Sequence, residues 1–385
     1  MDDADGFDLA TILAGVGDHP DGAVPPPIVQ TSLFAFDNYQ QFLDRMAGQI
    51  DRPIYSRVTN PTVSAFEGLM AQAEGGEAAV GFASGMAAIS STVLALLRPG
   101  DRLACVEHVY PDAYRLFERM LRPFGIDVTY HSVAAFEQDE NLLAGVQMAY
   151  LESPNSLVMQ PMNLPMVSAH ARRHGTLTVI DNSWATPVFQ RPLTLGIDLV
   201  VHSASKYIGG HSDTVAGVAI GSQDLIASIR DLTLPLLGAK LAPFEAFLLT
   251  RGLRTLDLRM RRHHATADHF ISGMADLACV TRINAPGPNS VPGLTGRSGL
   301  LSFEFDDSID IPRFVDALKH FRIGVSWGGF ESLVLPAQAT LSQKGEENSA
   351  QRFGVSPRLV RLSLGLEHHG DLWADFKAAL GQAAR

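Results

Sequence analysis

Short apolar runs alternate with amphipathic segments through most of the chain. The runs are AAVGF, RLACV, DVTYH, VQMAYLE, TLTVID, DLVVHS and TVAGVAIG. They are rich in residues that favour β-strands, and the segments between them have the periodicity of helices. This alternation predicts an α/β architecture over residues 61–250, with a mostly parallel sheet covered by helices on both faces.

The segment NPTVSAFEGLMAQAEGG predicts the first helix of this region. Asn60 suits the cap, Pro61 suits the first turn, and two glycines after Glu74 stop the helix. Apolar side chains lie on one face of the helix, at Val63, Phe66, Leu69, Met70 and Ala73. We therefore expect this face to pack against the sheet.

The two ends of the chain have different patterns. Residues 1–60 are rich in proline and glycine, show little periodicity and are predicted to form an extended N-terminal arm. From residue 251 the pattern predicts a helix, a loop rich in Gly and Pro, the strand LLSFEF, another helix and the final helix DLWADFKAALGQ. This order predicts a smaller α+β domain over residues 251–385.

Composition and charge limit the classes of partner. The 385 residues carry a formal net charge of −11 and no basic block, which argues against nucleic acid and anionic membrane surfaces. The N-terminus is acidic, without the basic and apolar regions of an export signal. Cys105 and Cys279 stand outside any CxxC spacing, so neither a disulfide framework nor a zinc ribbon is indicated. We expect a cytoplasmic enzyme.

One uncharged stretch needs an explanation of its own. Residues 79–97 form a run of 19 residues without charge that contains a GxxxG pattern. Serine, threonine and glycine residues interrupt its apolar character. The stretch therefore predicts a buried strand followed by a buried helix rather than a membrane span.

Polar side chains follow several of the predicted strands, at the edge of the sheet where ligands collect in α/β proteins. AAVGF is followed by ASGMAA, a glycine turn that opens a helix and leaves the N–H groups of Gly85 and Met86 free to hold a phosphate. Asp181 ends TLTVID. Hydroxyl groups flank a single lysine after DLVVH, where the residues are Ser203, Ser205 and Lys206.

This set of groups matches what pyridoxal 5'-phosphate (PLP) requires. A lysine after a strand is usually a solvated loop residue, and Lys206 alone would be interpreted in that way. Here, however, a lysine for the aldehyde, a carboxylate for the ring nitrogen and donors for the phosphate occur together. The combination predicts that Lys206 binds PLP covalently.

Motifs along the chain resemble those of a known family. SGMAA, ESP, DNSWATP, GIDLVVHSASKYIGGHSD, TRGLRTLDLRMRRHH, WGGFESL and LVRLSLGLE are similar to segments of the PLP enzymes of cysteine and methionine metabolism, the cystathionine lyase and synthase family. The resemblance runs from about Tyr55 to the C-terminus. It implies the PLP-dependent transferase fold of type I, similar to aspartate aminotransferase, with a large sheet domain and a smaller C-terminal domain.

The resemblance implies a role for each matching residue. Lys206 resembles the lysine that binds the cofactor aldehyde, Asp181 the partner of the ring nitrogen, and Tyr110 the tyrosine that stacks on the ring and assists catalysis. Asn155 lies where the family places a residue near the cofactor hydroxyl. The residues that resemble phosphate ligands are Gly85, Met86, Ser203 and Ser205.

The family also implies a substrate site and a shared active site. Arg361 resembles the arginine that binds the substrate carboxylate, which suits a bidentate guanidinium, and Ser326 and Trp327 are expected beside it. Tyr55 and Arg57 resemble residues that complete the phosphate site of a neighbouring subunit. We therefore expect a homotetramer built from dimers. The alternatives are a strand-edge arginine for Arg361, a core tyrosine for Tyr110, and surface residues for Tyr55 and Arg57.

Within the family, Trp327 favours cystathionine β-lyase, which would act on a sulfur amino acid. YPDAYR departs from the Tyr-Glu-Pro that is more frequent in β-lyases, and the cysteine that methionine γ-lyases carry beside the stacking tyrosine is absent. A γ-elimination or γ-replacement enzyme is the alternative. A non-catalytic PLP-binding protein on the same fold is another.

The histidines do not match a recognised metal motif. His263, His264 and His269 fall in one predicted helix, but their spacing is neither HExxH nor that of another zinc site. His368 and His369 are likewise expected to be structural or solvated. We predict no metal site.

Overall fold

The computed structural model of the chain describes residues 7–15, 17, 19, 22–345 and 347–384. Two sheets organise these residues. The strands of the first are β1 (Ala78–Phe82), β2 (Arg102–Val106), β3 (Asp127–His131), β4 (Met148–Glu152), β5 (Leu177–Asp181), β6 (Leu199–His202) and β7 (Gly217–Gly221). The strands of the second are β8 (Val280–Asn284), β9 (Leu300–Phe305), β10 (Arg322–Ile323), β11 (Leu333–Pro336) and β12 (Leu359–Ser363).

Fifteen α-helices surround the sheets in the described residues. They are α1 (Leu9–Ala14), α2 (Tyr39–Met46), α3 (Pro61–Glu74), α4 (Gly85–Leu96), α5 (Pro111–Leu116), α6 (Val133–Gln138), α7 (Leu164–His174), α8 (Thr186–Phe189), α9 (Gln223–Leu236), α10 (Pro243–Leu253), α11 (Leu256–Ala275), α12 (Ile311–Ala317), α13 (Ala337–Leu341), α14 (Ser349–Arg352) and α15 (His369–Ala383). A π-helical turn at Phe117–Leu121 and a 3₁₀ turn at Pro192–Leu195 complete the helical structure.

The larger sheet has seven strands in the order β1-β7-β6-β5-β4-β2-β3. β7 is antiparallel to both of its neighbours, while the remaining pairs are parallel. The predicted α/β fold with a mostly parallel sheet is confirmed. Because helices cover both faces, apolar side chains alternate between two cores, and in β6 Val200 packs in one core while Leu199 and Val201 pack in the other.

Helix α3 forms as its sequence predicts. The Asn60 side chain accepts a hydrogen bond from the Thr62 N–H at 3.0 Å, and Gly75 ends the helix with a positive φ of 74°. Phe66 and Met70 are fully buried. The uncharged stretch at 79–97 is likewise a strand and a helix, β1 and α4.

The smaller sheet has the order β10-β11-β12-β9-β8 and lies in the C-terminal part of the chain. An aromatic core packs against it, formed by Phe270, Phe303, Phe305, Phe314 and Phe376. Helix α11 connects the two cores, because its first turns pack in the core of the large sheet and its last turns pack in the aromatic core. The boundary predicted at residue 250 falls inside α10.

The N-terminal arm contains regular structure that the sequence pattern does not predict. Helices α1 and α2 are only six and eight residues long, so neither is long enough to show a clear period. Side chains of Asp8 and Asn38 cap them. The expectation of an extended arm is corrected to this extent. Among the residues described, no helix combines the length and apolarity needed to cross a membrane.

Candidate active site

A cavity of about 750 Å³ opens at the carboxyl ends of the strands in the large sheet. Loops after β1, β2, β4, β5 and β6 line it, together with residues that the small domain contributes. It brings together eleven of the thirteen residues predicted for the site. Tyr55 and Arg57 do not line it, and the eleven that do are Gly85, Met86, Tyr110, Asn155, Asp181, Ser203, Ser205, Lys206, Ser326, Trp327 and Arg361.

Lys206 lies in the turn after β6 and points its amine into the cavity. Its Nζ donates a hydrogen bond to the Ser326 Oγ at 2.8 Å and lies 5.3 Å from the centre of the Trp327 ring. Burial, and then the positive charge of Arg361, lower the pKa of Lys206 to about 8, while Asp181 opposes the shift. More of the amine is therefore neutral near neutral pH than in an ordinary lysine, as a nucleophile requires.

Two buried carboxyl groups lie side by side at the ends of neighbouring strands. Asp181 ends β5 and is in register with Glu152, which ends β4. The Ser183 N–H and hydroxyl both donate to the Asp181 Oδ1, at 2.9 and 2.6 Å. Burial is the main cause that raises the pKa of Asp181, and it raises the pKa of Glu152 to about 8. One cavity wall therefore holds two neighbouring acids, and ionisation of one makes ionisation of the other less favourable.

The first turn of α4 forms a cradle for an anion. The Ser84 side chain caps the helix by accepting from the Ala87 N–H at 3.0 Å, and the next N–H groups belong to Gly85 and Met86. A Cβ on Gly85 would lie 2.8 Å from both the Cβ and the Oγ of Ser203. Only glycine lets the helix start approach Ser203 this closely.

Ser203 and Ser205 are fixed by the loop that carries Lys206. The Ser203 N–H donates to the Ser183 Oγ at 2.7 Å. The Ser205 Oγ accepts from the Ala216 N–H at 2.9 Å and donates to the Ala216 carbonyl at 3.2 Å. The two hydroxyl-bearing residues thus stand beside the start of α4, where a phosphate would find several donors.

Tyr110 and Asn155 lie on two loops that face the cavity. The Tyr110 hydroxyl donates to the Asp112 Oδ2 at 3.1 Å, and burial together with Asp112 raises the pKa of Tyr110 to about 12. The Asn155 Nδ2 donates to the Glu107 carbonyl at 3.2 Å. Tyr110 remains 41% exposed, so its ring has a free face for a planar ligand.

Arg361 brings a positive charge from β12 of the small sheet. Its Nη2 donates to the carbonyl groups of Val325 and Ser326 at 2.7 and 3.2 Å. Burial lowers the pKa of Arg361 to about 10, so the guanidinium stays charged at neutral pH. These contacts hold the cation beside the residue that binds the Lys206 amine, in a position suited to a carboxylate.

Tyr55 and Arg57 lie apart from this cavity within one chain. They line a different cavity of about 400 Å³, together with Lys240. The Arg57 guanidinium carbon lies 5.3 Å from the centre of the Tyr55 ring. Their predicted contribution to the site of a second subunit stays a prediction.

Two further residues of the site were not singled out from the sequence. Glu152 and Ser183 both line the cavity, and both lie in the quoted motifs ESP and DNSWATP, where neither received a role. The sequence feature that could have identified Glu152 is its position at the end of an apolar run, because Asp181 also ends such a run. Among the residues described, no group of three or more His, Cys, Asp or Glu side chains could hold a metal ion.

The histidines of α11 have different environments. The buried His263 places its Nδ1 2.8 Å from the Leu364 carbonyl, and burial lowers the pKa of His263 to about 4. His264 lies 3.4 Å from Asp268, and the His269 ring contacts the His369 ring with centres 4.6 Å apart. The contacts of His263 and His269 join α11 to its neighbours, whereas the contact of His264 with Asp268 lies within the helix.

The residues around the cavity fit PLP. The amine of Lys206 would bind its aldehyde, the carboxylate of Asp181 would hold its ring nitrogen, and the glycine-dependent cradle at Gly85 would hold its phosphate. The donor set contains a primary amine, an anion and several N–H and O–H groups, and the cavity has room for the cofactor and a small substrate.

Comparisons with known proteins agree with this fit. A family model described as Cys/Met metabolism PLP-dependent enzyme matches residues 10–381. L-methionine gamma-lyase of Pseudomonas putida is 40% identical over 378 residues, which cover 94% of each chain. Cystathionine beta-lyase of Lactococcus lactis is 35% identical over 378 residues, which cover 94% of this chain and 95% of that one.

A solved structure is similar over nearly the whole chain. It is a candidate O-acetylhomoserine (thiol)-lyase from Campylobacter jejuni that carries N'-pyridoxyl-lysine-5'-monophosphate. Its TM-score is 0.90 at 29% sequence identity, and the match covers 97% of this chain and 100% of that one.

Proposed function

The chain belongs to the family of Cys/Met metabolism PLP-dependent enzymes, and on that premise we propose that it cleaves L-cystathionine by β-elimination to homocysteine, pyruvate and ammonia. PLP is the cofactor of this family. It supplies an aldehyde that binds amines covalently and a ring that stores the negative charge left when a proton leaves the α-carbon.

Lys206 is the base in this proposal. With a substrate bound to the cofactor, the neutral amine of Lys206 would take the α-proton. Burial and the charge of Arg361 keep part of the amine neutral, and Ser326, which accepts its hydrogen bond at 2.8 Å, orients it. The lysine thus serves first as the attachment point and then as the base.

Other side chains bind and orient. Arg361 binds the substrate carboxylate and so fixes the α-carbon beside Lys206. Asp181 would hold the proton on the ring nitrogen, and Tyr110 would cover the ring. Asn155 would lie near the cofactor hydroxyl, and the donors at the start of α4 would hold the phosphate.

The position of Trp327 is the observation that carries the choice of β-elimination. Its ring lies 5.3 Å from the Lys206 Nζ and 5.5 Å from the Tyr207 ring, so it forms a wall at the base. β-Elimination needs one base and a substrate held close to it, because the thiolate leaves directly after the α-proton. γ-Elimination needs a second proton transfer, at the β-carbon, for which a wall at the base leaves less room.

γ-Elimination is the second candidate, and γ-replacement belongs with it. The observation that favours it is the 40% identity to a methionine gamma-lyase. A non-catalytic PLP-binding protein is the remaining alternative. The half-buried cation of Arg361 argues against it, because a carrier would not need a carboxylate receptor beside the lysine.

Incubation of the purified protein with L-cystathionine, followed by identification of the products, separates these functions. Homocysteine and pyruvate support the proposal. Cysteine and 2-oxobutyrate indicate γ-elimination, and formation of cystathionine from an activated homoserine and cysteine indicates γ-replacement. If the protein binds PLP but releases no product from any of these substrates, it is a non-catalytic PLP-binding protein. L-Methionine serves as the second substrate, since a β-lyase leaves it intact.

The proposed assembly is a homotetramer made of dimers that share active sites. Tyr55 and Arg57 lie away from the Lys206 cavity of their own chain, which supports a role in another subunit. The arm also exposes large apolar side chains, among them Leu33 at 62%, Tyr39 at 76% and Met46 at 64%. Burial of these side chains against another subunit would remove apolar surface from water.

A further inference from the structure

Glu152 is a cavity residue without a role in the proposed reaction. It is 9% exposed, lines the cavity and ends β4 beside Asp181. Both of its oxygens have partners: Oε2 accepts from the Tyr110 N–H at 2.8 Å, and Oε1 accepts from the Ser156 hydroxyl at 2.5 Å. A buried carboxyl group that faces a ligand cavity is costly and calls for a physical explanation.

The first part of the explanation is mechanical. Glu152 belongs to one of three hydrogen bonds that tie the loop at 107–110 to the loop at 152–156. The Ser156 N–H donates to the His108 carbonyl at 2.9 Å, and the Asn155 Nδ2 donates to the Glu107 carbonyl at 3.2 Å. The bond from the Tyr110 N–H to Glu152 is the one nearest the stacking ring, so it sets the position of that ring.

The second part is electrostatic. The titratable groups that act on or respond to Glu152 are Asp181 on β5, Cys105 on β2, Tyr150 on β4 and Tyr110 before α5. None of them is a cation. The pKa values of Cys105 and the two tyrosines are raised by burial, so these three groups stay neutral from pH 6 to 9.

Asp181 is the better of the two acids. Its carboxylate accepts two hydrogen bonds from Ser183, and the positive charge of Lys206 also favours its anionic form. Glu152 accepts two hydrogen bonds, but in the described part of the chain no cation is among the groups that shift its pKa. Between two adjacent acids, the proton stays on the one whose anionic form is less stabilised, which here is Glu152.

We propose that Glu152 is a positioning residue that acts as a neutral carboxylic acid: it fixes the main chain of Tyr110 and leaves Asp181 as the anion of this pair of acids. The inference rests on the proposed roles of Tyr110 and Asp181. Ionisation of Glu152 at high pH places a second negative charge beside Asp181. The two carboxylates then repel each other, and the added charge also repels the anionic phosphate of the ligand.

The test measures binding of pyridoxamine 5'-phosphate, which lacks the aldehyde and therefore does not depend on the Lys206 amine for covalent capture. Cofactor-free protein is titrated at intervals from pH 6 to 9.5, and Kd is read from the fluorescence of the ligand. The variants are Glu152→Gln, which keeps the shape and the acceptor without the ionisation, and Glu152→Ala, which removes the acceptor.

The matched control is Asp198→Asn. The Asp198 carboxylate also accepts one backbone N–H and one hydroxyl, both from Thr178 at 2.8 and 2.6 Å, but it lies at the opposite, amino end of the strands. Thermal unfolding of every variant without ligand checks that it folds. If Glu152→Ala fails to fold, the comparison of wild type with Glu152→Gln still decides the question.

We expect wild type and Glu152→Gln to bind equally well at pH 6.5 and to diverge above pH 8, where the wild-type Kd becomes about tenfold weaker. Glu152→Ala binds about tenfold more weakly at all pH values, because the Tyr110 N–H loses its acceptor. Asp198→Asn follows the wild type. Parallel pH profiles for wild type and Glu152→Gln, or tight binding by Glu152→Ala, overturn the inference.

A failure of the proposed function gives a different result. Tyr110→Ala and Asp181→Asn should both weaken binding of the same ligand. If they do and Glu152→Gln shows no divergence, only the role of Glu152 is wrong. If neither weakens binding, the proposed roles of Tyr110 and Asp181 are wrong.

Discussion

Substitution of Gly85 by alanine tests the phosphate cradle. A Cβ at this position would lie 2.8 Å from the Cβ and Oγ of Ser203 and 3.0 Å from its Cα. Non-bonded carbon atoms prefer a separation of about 3.5–4.0 Å, so Ser203 or the helix start must move. Ser203 resists this movement because its N–H donates to the Ser183 Oγ at 2.7 Å and its carbonyl accepts from the Lys206 N–H at 3.1 Å.

The expected magnitude has two parts. Overpacking of this kind costs about 1–3 kcal/mol of folding free energy. Displacement of Ser203 also removes one hydrogen bond to a charged phosphate, worth about 1.5–3 kcal/mol. At about 1.4 kcal/mol per factor of ten, the loss of that bond weakens PLP binding roughly 10- to 150-fold.

The assay is titration of cofactor-free protein with PLP, together with thermal unfolding in its absence. Gly68→Ala is the matched control, because Gly68 lies in α3 and a Cβ there meets no atom within 4 Å. That control should gain about 0.5–1 kcal/mol of stability and bind PLP normally. A Gly85→Ala protein that binds PLP as tightly as the wild type would refute the cradle.

Three further results are expected. The rate of covalent PLP capture, measured by visible absorbance, should increase as the pH rises through about 8, where Lys206 loses its proton. Arg361→Gln should move the midpoint of this increase to higher pH because it removes a positive charge. An unchanged midpoint contradicts the coupling between Arg361 and Lys206. Mixed Arg57→Ala and Lys206→Ala subunits should regain activity through hybrid dimers, and no recovery under conditions of proven subunit exchange counts against shared sites. Trp327→Phe should slow cystathionine cleavage far less than Lys206→Ala, which removes the base and should cost at least about 10²-fold; equal losses would show that Trp327 is more than a wall.

The large sheet follows from the sequence because its signals are local. Each strand is a short apolar run between helical segments, and alternation of side chains such as Leu199 and Val200 between two cores requires no knowledge of distant residues. Four strands of the small domain were not predicted: β8, β10, β11 and β12. β10 has only two residues and β8 exposes much of its surface, so these two have no apolar pattern to detect. β11 and β12 are only four and five residues long.

The candidate site was predictable where its residues follow strands, as Asp181 and Lys206 do. Contacts across the chain were not. The hydrogen bond from Lys206 to Ser326 joins residues 120 positions apart, and the register that sets Glu152 beside Asp181 depends on the pairing of β4 with β5. Such contacts arise from tertiary packing, which no local period encodes.

Identification of the lysine that binds PLP tests the central claim most directly. The chain has only five lysines, so the outcome is unambiguous: the others are Lys240, Lys319, Lys344 and Lys377. The protein is incubated with PLP, reduced with borohydride, digested and analysed by mass spectrometry. The account predicts a pyridoxyl phosphate adduct on Lys206 that is lost in Lys206→Ala, whereas an adduct mainly on another lysine, or one that persists in that variant, would contradict it.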